Sequence, residues 1–409
     1  MITIQSIIKK NIELRFDRGI MLTLLAVCPN SEAVLAAGVK AAALHNSVML
    51  FAATLNQVDF DGGYTGWTPD QFVQKIDEYA KKYASQSGLY PCLDHGGPWL
   101  KDKDTINRLT FDQTFNNVKH SIESCIRAGY SLLHIDPTVD RSLPPETGIS
   151  IETVVDRSVE LISFAEGIRK QLNQPAISYE VGTGEVQGGM VDLAGFDKFV
   201  SLLKARMTKE NLLDAWPSFF VAQVGTDLHT TIFDPIAASK IFEVLVPMGS
   251  PAKGHYSDWV ENPAGYPKSG MGGANVGLEF TAEEYKALVE LETIEKNLLQ
   301  QDSNMKASRF IEVLTDAVVR SNRWKKWLVE EERNRDFREL DPERKLWLVQ
   351  TGSRYVWTDP EVLESRKILY QNAARIIPNP DEFVIDWIVR SIEKYITIFN
   401  LKNSLIYYS

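Results

Sequence analysis

Residues 89–98 read Leu-Tyr-Pro-Cys-Leu-Asp-His-Gly-Gly-Pro, a short apolar run that ends in Asp94, His95 and two glycines. Two later apolar runs of the 409-residue chain are also followed by a histidine, His229 in one case and His255 in the other. Parallel (β/α) barrels carry their functional side chains where the strands end, at the mouth of the sheet. The sequence therefore predicts that these three histidines lie together at one mouth.

The regions around this stretch are typical of the same architecture. From about residue 20 to 300, short apolar runs alternate with longer runs of helical periodicity, which indicates a parallel sheet covered by helices. The pattern predicts strands at 21–27, 48–53, 89–93, 131–135, 176–181, 219–224, 244–251 and 273–280, and helices at 31–45, 68–84, 111–128, 150–172, 195–206 and 235–244. We expect an α/β fold, a TIM (β/α)8 barrel over residues 1–302, followed by a helical extension over 303–409 that packs on the barrel or on a partner subunit.

Composition excludes several classes of protein. A net charge of −10 argues against a nucleic-acid surface, and no apolar run approaches the length of about 20 residues that a membrane span needs. The amino terminus lacks the pattern of a secretory signal, so we expect a cytoplasmic protein. Three scattered cysteines cannot build a disulfide framework. No Walker loop, Rossmann fingerprint or nucleophile elbow stands in a suitable strand-turn-helix context.

The three histidines suit a metal ion. Catalytic zinc sites often use three protein ligands and leave a position for water or substrate. Because the chain has only six histidines, the occurrence of three of them at predicted strand ends supports a metal site more strongly than it would in a histidine-rich protein. Each could instead be a strand-end histidine that is satisfied by backbone hydrogen bonds. We predict a divalent ion, with zinc as the best match, bound by His95, His229 and His255.

Carboxylates near these strand ends are candidates for proton transfer. Neighbouring side chains of a strand point to opposite faces, so Asp94 and His95 share a site only if the backbone turns there. The following Gly96-Gly97-Pro98 predicts such a turn. We expect Asp94 to act as a general base, with Asp258 and Glu180 as further catalytic candidates. Asp94 could instead cap a loop, and Asp258 and Glu180 could instead be solvated loop acids.

A second set of residues is suited to substrate binding. Asn56, Gln57 and Tyr64 supply polar groups beside a glycine-rich turn, and Asp136 alternates with His134 on a predicted strand. The segment 260–275 is rich in glycine, proline and asparagine, and we expect it to be a lid over the mouth. Within it, Gly272 and Gly273 are candidates for holding a phosphate on backbone amides.

Several of these motifs occur together in one known family. Asn56-Gln57-Val58, Gly62-Gly63-Tyr64-Thr65-Gly66, Thr68-Pro69, Asp94-His95-Gly96-Gly97-Pro98 and His134-Ile135-Asp136 stand in the order found in the Z-type subunit of class II D-tagatose-1,6-bisphosphate aldolase. The likeness continues through His229 and through His255 with Ser257 and Asp258. The chain thus resembles this family over nearly its whole length.

The resemblance implies a TIM barrel with a helical tail and two alternative roles. Some members are non-catalytic partners of a Y-type aldolase subunit, whereas related proteins epimerise ketoses or ketose phosphates at C4. This chain departs from the family at Gly97, at Lys253-Gly254, where members carry an acid and an alanine, and in its glycine- and proline-rich loop, which stands where members have a seventh helix.

On this resemblance we expect a metal-dependent enzyme of carbohydrate metabolism that acts on the C3–C4 bond of a ketose or ketose phosphate. Aldol cleavage and retro-aldol C4 epimerisation are both open. The alternative is a non-catalytic subunit that stabilises an aldolase partner. An aldolase partner subunit and a homo-oligomer are both compatible with the sequence.

Overall fold

Eight parallel strands close into a barrel in the computed structural model, which describes residues 2–144, 147–182, 193–227, 230–302 and 304–408. Each strand pairs with the next, and the last pairs with the first. The strands are β1 (Leu24–Val27), β2 (Met49–Thr54), β3 (Leu89–Gly96), β4 (Leu132–Ile135), β5 (Ser178–Gly182), β6 (Phe219–Val221), β7 (Ala252–Gly254) and β8 (Gly273–Val276). The predicted TIM barrel is confirmed.

Helices cover the barrel and continue beyond it. Among the described residues, nine lie before or between the strands: α1 (Ile4–Arg18), α2 (Glu32–His45), α3 (Pro69–Lys82), α4 (Asp102–Ile106), α5 (Phe111–Ala128), α6 (Ile151–Gln171), α7 (Leu193–Lys209), α8 (Pro235–Leu245) and α9 (Gly265–Ser269). In the described part of the chain after β8, five more follow: α10 (Leu278–Gln301), α11 (Phe310–Ser321), α12 (Pro342–Gly352), α13 (Pro360–Ala373) and α14 (Pro380–Ile398). Across the described ranges, no helix has both the length and the apolar character needed to cross a bilayer.

Local capping signals explain why several helices begin where they do. The Thr68 side chain accepts a hydrogen bond from the Gln71 backbone amide, the Gln71 side-chain oxygen accepts one from the Thr68 backbone amide, and Pro69 occupies the first turn. This arrangement, a capping box, satisfies backbone amides that have no partner within the helix. Thr110 caps α5 in the same way. The helix start that the sequence predicts at Thr68 is therefore confirmed.

The seventh strand lies later than the sequence predicts. The apolar run 244–251 includes the end of α8 and a short 3-10 helix over Val246–Met248, and β7 begins only at Ala252. Leu245 is buried against the core as part of the helix, and Gly249 ends the turn with a φ of +72°. Residues 246–249 are partly or fully exposed, so the apolar pattern was wrong about the element and only partly right about burial. Short apolar runs do not distinguish a strand from a helix end.

The segment 260–275 is a packed connection and not a hinged lid. Tyr266, in α9, is fully buried, and its ring stacks on that of Phe233 at 4.1 Å between centroids. Gly272 and Gly273 lie at the amino-terminal end of β8, opposite the mouth. A Cβ at Gly272 would lie 2.3 Å from Pro251 Cγ. These glycines permit close packing, so the predicted phosphate-binding role at the mouth is corrected.

The segment that leads into α1 and the segment between α11 and α13 cover opposite ends of the barrel. Tyr90, near the start of β3, donates a hydrogen bond to the Ile2 carbonyl oxygen, so the segment leading into α1 lies at the amino-terminal end of the sheet. The carboxyl-terminal helices pack along α10 and α2, where Lys40 pairs with Glu382 at 2.9 Å. The segment between α11 and α13 reaches the mouth, where Lys326 bonds Asp102 at 2.9 Å. A domain boundary at residue 302 stays a prediction.

Candidate metal centre at the barrel mouth

The end of β3 brings two neighbouring side chains to one site. The register of β3 on β4 shifts between Leu93 and Gly96, and His95 has a φ of +51°. The backbone therefore turns at His95 itself, one residue before the glycines that predicted the turn. A non-glycine residue rarely adopts this left-handed conformation, and such strain is typical of functional sites. As a result, Asp94 and His95 both reach the centre of the mouth.

Two glycines after His95 allow the ends of β3 and β4 to approach closely. A Cβ at Gly97 would lie 1.7 Å from the Asp136 carbonyl oxygen, and one at Gly96 would lie 2.8 Å from the carbonyl oxygen of His134. Any larger residue at Gly97 would push the two strands apart. The close approach places the side chains at the end of β4 beside His95.

Four side chains form a group that could hold a metal ion. One ligand atom each from Asp94, His95, His134 and His255 lies within 4.8 Å of the other three. His95 and His255 are predicted ligands, whereas the predicted ligand His229 lies outside the described residues. The sequence analysis did not select His134 as a ligand, although its alternation with Asp136 on a strand was the available signal.

Carboxylates orient the two predicted ligands. His95 Nδ1 lies 2.7 Å from an oxygen of Asp136, and His255 Nε2 lies 2.8 Å from an oxygen of Glu180. Because an ionised carboxylate only accepts, each of these nitrogens carries the proton. In the neutral form of both rings, the unprotonated nitrogens are His95 Nε2 and His255 Nδ1, which lie 3.0 Å apart. A cation beside both nitrogens would stabilise this arrangement, so the residues fit a divalent ion.

Two buried polar atoms at the same place have no hydrogen-bond partner among the described residues. They are Nε2 of His134 and Oδ1 of Asn275. Leaving a buried polar atom unsatisfied costs about 1–3 kcal/mol. His134 Nδ1 lies 3.3 Å from Asp94, and the Asn275 amide nitrogen lies 3.2 Å from the same carboxylate. The unsatisfied atoms are a second indication that this group receives a ligand.

The electrostatic environment supports a neutral imidazole beside an ionised carboxylate. Burial lowers the pKa of His255 to about 4 and outweighs the opposing effects of Asp94 and Glu180. Burial alone would raise the pKa of Asp94, but His95 and His255 outweigh it and hold that pKa well below the ordinary value. A neutral imidazole is the form that binds metal, and an ionised carboxylate can accept a proton.

Glu180 lies within the barrel and does not line the cavity at its mouth. Its oxygens are 3.0 and 2.7 Å from Nζ of Lys253, and the side chains are 0% and 1% exposed. Burial opposes ionisation of Glu180, but Lys253 and the nearby histidines lower its pKa to about 2. This geometry fits a residue that orients His255, and we no longer assign Glu180 to proton transfer.

Asn56 and Gln57 line the cavity but use their amides within the protein. The Asn56 side chain donates to the Leu100 carbonyl oxygen at 2.9 Å and accepts from the Asp102 amide at 2.8 Å. The Gln57 side-chain oxygen accepts from the Thr54 amide at 2.9 Å. These bonds hold the loops of the mouth in place. Direct contact of either residue with substrate stays a prediction.

The remaining candidates occupy different positions. The Tyr64 hydroxyl lies in the cavity wall and donates to Asn30 at 2.6 Å. Asp136 is buried against His95 and is not among the lining residues. Asp258 lines the cavity, and one oxygen accepts from the amides of Gly277 and Glu279 at the start of α10, both at 2.8 Å. Burial raises the pKa of Asp258 to about 6.

A cavity opens above this candidate metal-binding group, and the carboxyl-terminal extension forms part of its wall. Residues from the barrel loops and from the extension line it together: Cys28, Asn30, Thr54, Asn56, Gln57, Tyr64, Asp94, His95, Leu100, Asp102, His255, Tyr256, Asp258, Asn275, Gly277, Leu278, Lys326, Trp327, Arg354 and Tyr355. The last four were not predicted, because the helical extension was expected only to pack on the barrel or on a partner subunit.

Comparison with known proteins agrees with this architecture. A family model described as "D-tagatose-1,6-bisphosphate aldolase subunit GatZ/KbaZ-like" matches residues 9–402. A D-tagatose 6-phosphate 4-epimerase from Agrobacterium fabrum is 26% identical over 321 residues, which are 71% of each chain.

Solved structures share the fold. A probable tagatose 6 phosphate kinase from Sinorhizobium meliloti 1021 superposes with a TM-score of 0.74 at 19% identity, over 92% of this chain and 100% of that one. A fructose-bisphosphate aldolase from Campylobacter jejuni gives a TM-score of 0.54 at 12% identity, over 98% and 95% of the two chains. At these identities the likeness concerns the fold alone.

Proposed function

This chain belongs to the D-tagatose-1,6-bisphosphate aldolase subunit GatZ/KbaZ-like family, and we propose that it is a metal-dependent enzyme that epimerises a ketose or ketose phosphate at C4. The observation that carries the proposal is the group of Asp94, His95, His134 and His255 at the barrel mouth. The relative named as a D-tagatose 6-phosphate 4-epimerase supports this choice of reaction.

The donor set favours zinc, because imidazole nitrogens and a carboxylate are ligands that zinc prefers. We propose His95, His255 and the predicted ligand His229 as the protein ligands, with His134 and Asp94 beside them. When bound, a divalent ion would stabilise the negative charge that remains on the C1–C3 fragment once the C3–C4 bond breaks.

Asp94 is the proposed general base. It would accept the proton of the C4 hydroxyl while the electrons of the C3–C4 bond move to C3 and C4 becomes an aldehyde carbon. Rotation of the aldehyde and re-addition of C3 to its other face would invert C4, and Asp94 would then return the proton. Its ionised state and its place in the cavity wall support this role.

The shape of the site favours epimerisation over release of the aldehyde. Trp327 and Tyr355 of the extension stand in the wall of the cavity above the metal-binding group. Aromatic side chains here would exclude water and retain the aldehyde until it is attacked again. Aldol cleavage uses the same chemistry and differs only in whether the aldehyde leaves.

The proposal is tested with untagged protein, purified alone. We expect about one divalent ion per chain and interconversion of C4 epimers in a panel of phosphorylated and unphosphorylated ketohexoses, followed by carbon-13 NMR. Chelation should abolish turnover, and added zinc should restore it. Aldehyde accumulation without epimer formation would identify an aldolase instead.

The family description favours one other candidate, a non-catalytic aldolase subunit. Such a protein would show no turnover alone with any ketose of the panel, and it would raise the activity or stability of a catalytic aldolase subunit on mixing. That result would overturn the proposed epimerase activity.

A further inference from the structure

One buried arginine of the extension differs from the others in its surroundings. Several arginines that are largely shielded from solvent each pair with a carboxylate: Arg157 with Asp140, Arg169 with Glu166, Arg344 with Glu332 and Arg366 with Glu284. Arg354 is only 5% exposed, and no carboxylate of the described residues lies within ion-pair distance of it. A buried charge without a charged partner is costly, which indicates that a partner arrives from outside the chain.

Aromatic rings hold Arg354 in place. Its guanidinium carbon lies 4.6 Å from the centroid of the Trp327 ring and 4.7 Å from that of Tyr355. Among the described residues, its one hydrogen bond goes to the Tyr355 hydroxyl at 2.9 Å. A guanidinium has five N–H donors, and rings that cover its faces leave the donors at its edge for an oxyanion. Arg354 is therefore oriented but has most of its donors unused.

The wall around Arg354 is positively charged. Lys326 and Arg323 both bond the single carboxylate of Asp102, and Lys326 lines the same cavity as Arg354. Arg354, Lys326 and Arg323 thus bring three cations to this wall, and Asp102 pairs with only the last two. Asp258 also lines the cavity, and the α10 amides already hold one of its oxygens. The wall has a net excess of positive charge that suits a dianion.

We propose that Arg354 binds the phosphate group of the substrate, with Lys326 beside it, while the sugar carbons lie over the metal-binding group. This inference deepens the proposed function and rests on it, because it assigns the opposite end of the same substrate. A guanidinium forms paired hydrogen bonds with a phosphate, and the second cation matches its second charge. The extension, and not the barrel, would then select phosphorylated ketoses.

The experiment compares Arg354→Gln, Arg354→Lys and the control Arg320→Gln. Arg320 lies in the same extension, but it is exposed and pairs with Glu361 at 2.7 Å. Steady-state kinetics are measured for D-tagatose 6-phosphate and for unphosphorylated D-tagatose. We expect the ratio of the two kcat/KM values to fall about 10- to 100-fold in Arg354→Gln, mainly through KM for the phosphate. The ratio for Arg354→Lys should lie between those of the wild type and of Arg354→Gln, and Arg320→Gln should keep the wild-type ratio.

A binding measurement gives a readout that does not depend on turnover. Inorganic phosphate should raise the melting temperature of chelator-treated wild-type protein and of Arg320→Gln, and should not raise that of Arg354→Gln. If no ketose is turned over, the proposed function fails, and this measurement still decides the phosphate site.

Three outcomes would overturn the inference. The first is an equal loss of kcat/KM for both ketoses in Arg354→Gln, which would show that the residue only packs the extension. The second is a wild-type protein that neither prefers the phosphorylated ketose nor is stabilised by phosphate. The third is a preference for a ketohexuronate over the ketose phosphate that depends on Arg354, since the bound anion would then be a carboxylate.

Discussion

The barrel side and the extension side of the cavity are built in opposite ways. On the barrel side, buried polar side chains contact one another in a continuous series: Asp136, His95, His255, Glu180 and Lys253. On the extension side, Arg354 is held by rings and has no carboxylate partner among the described residues. A preorganised polar network holds the side chains in the geometry that bond breaking and bond formation require. An unpaired buried charge, in contrast, is stabilised most when a ligand of opposite charge binds. The barrel side therefore suits the proposed chemistry, and the extension side suits the proposed recognition of the substrate.

The strongest test removes a residue of the metal-binding group. We expect His255→Ala to lose most of its metal and all measurable turnover, because the variant lacks one of few ligands. His134→Ala should also lose metal if this residue belongs to the group. The exposed His120→Ala is the matched control. Elemental analysis of each variant measures the effect, and full metal retention in both ligand variants would refute the assignment.

Asp94→Asn tests the proton-transfer role on the barrel side. Asparagine preserves the shape and removes the charge that accepts a proton, so we expect kcat to fall about 100- to 10,000-fold. Metal content and melting temperature should stay near the wild-type values, as in the surface control Asp112→Asn. Near-native turnover would indicate that Asp258, and not Asp94, is the general base. Joint loss of metal and stability would mean that Asp94 supports the site structurally.

Lys253→Met tests how far the barrel network depends on complete pairing. The variant leaves the Glu180 carboxylate buried without its cation, which we expect to cost about 3–5 kcal/mol in the free energy of unfolding. The double variant Glu180→Gln with Lys253→Met should recover much of this loss. Lys40→Met, which breaks a partly exposed pair between α2 and α14, should cost less than about 1 kcal/mol. Urea denaturation measures the free energy of unfolding of all three variants. Equal losses in Lys253→Met and Lys40→Met would contradict the expected difference between a buried and a partly exposed ion pair.

Asp258→Asn should change the pH dependence of stability. The folded pKa of Asp258 is raised to about 6 by burial, so its favourable contribution is present below its ordinary pKa and is lost as pH rises through about 6. Asparagine keeps an oxygen that the Gly277 and Glu279 amides can bond. The variant should match wild type near pH 4 and be more stable by about 1–3 kcal/mol at pH 8. A stability difference that does not vary with pH would contradict this reasoning.

The sequence by itself determined the barrel and much of its mouth. Alternating strand and helix patterns and capping residues such as Thr68 act over a few residues, so they can be read without tertiary structure. For the same reason, the sequence indicates that Asp94 and His95 lie together at the end of a strand. It could not separate the end of α8 from β7, because both are short and apolar.

Only the tertiary structure decided which side chains meet. The turn at His95 and the close approach at Gly97 bring His134 into the candidate metal-binding group, and these depend on strand register across the barrel. The position of Arg354 depends on an extension that folds back over loops more than 250 residues earlier in the chain. Local patterns predict which face of an element is buried but not which distant element covers it, because that choice is made by packing over the whole fold.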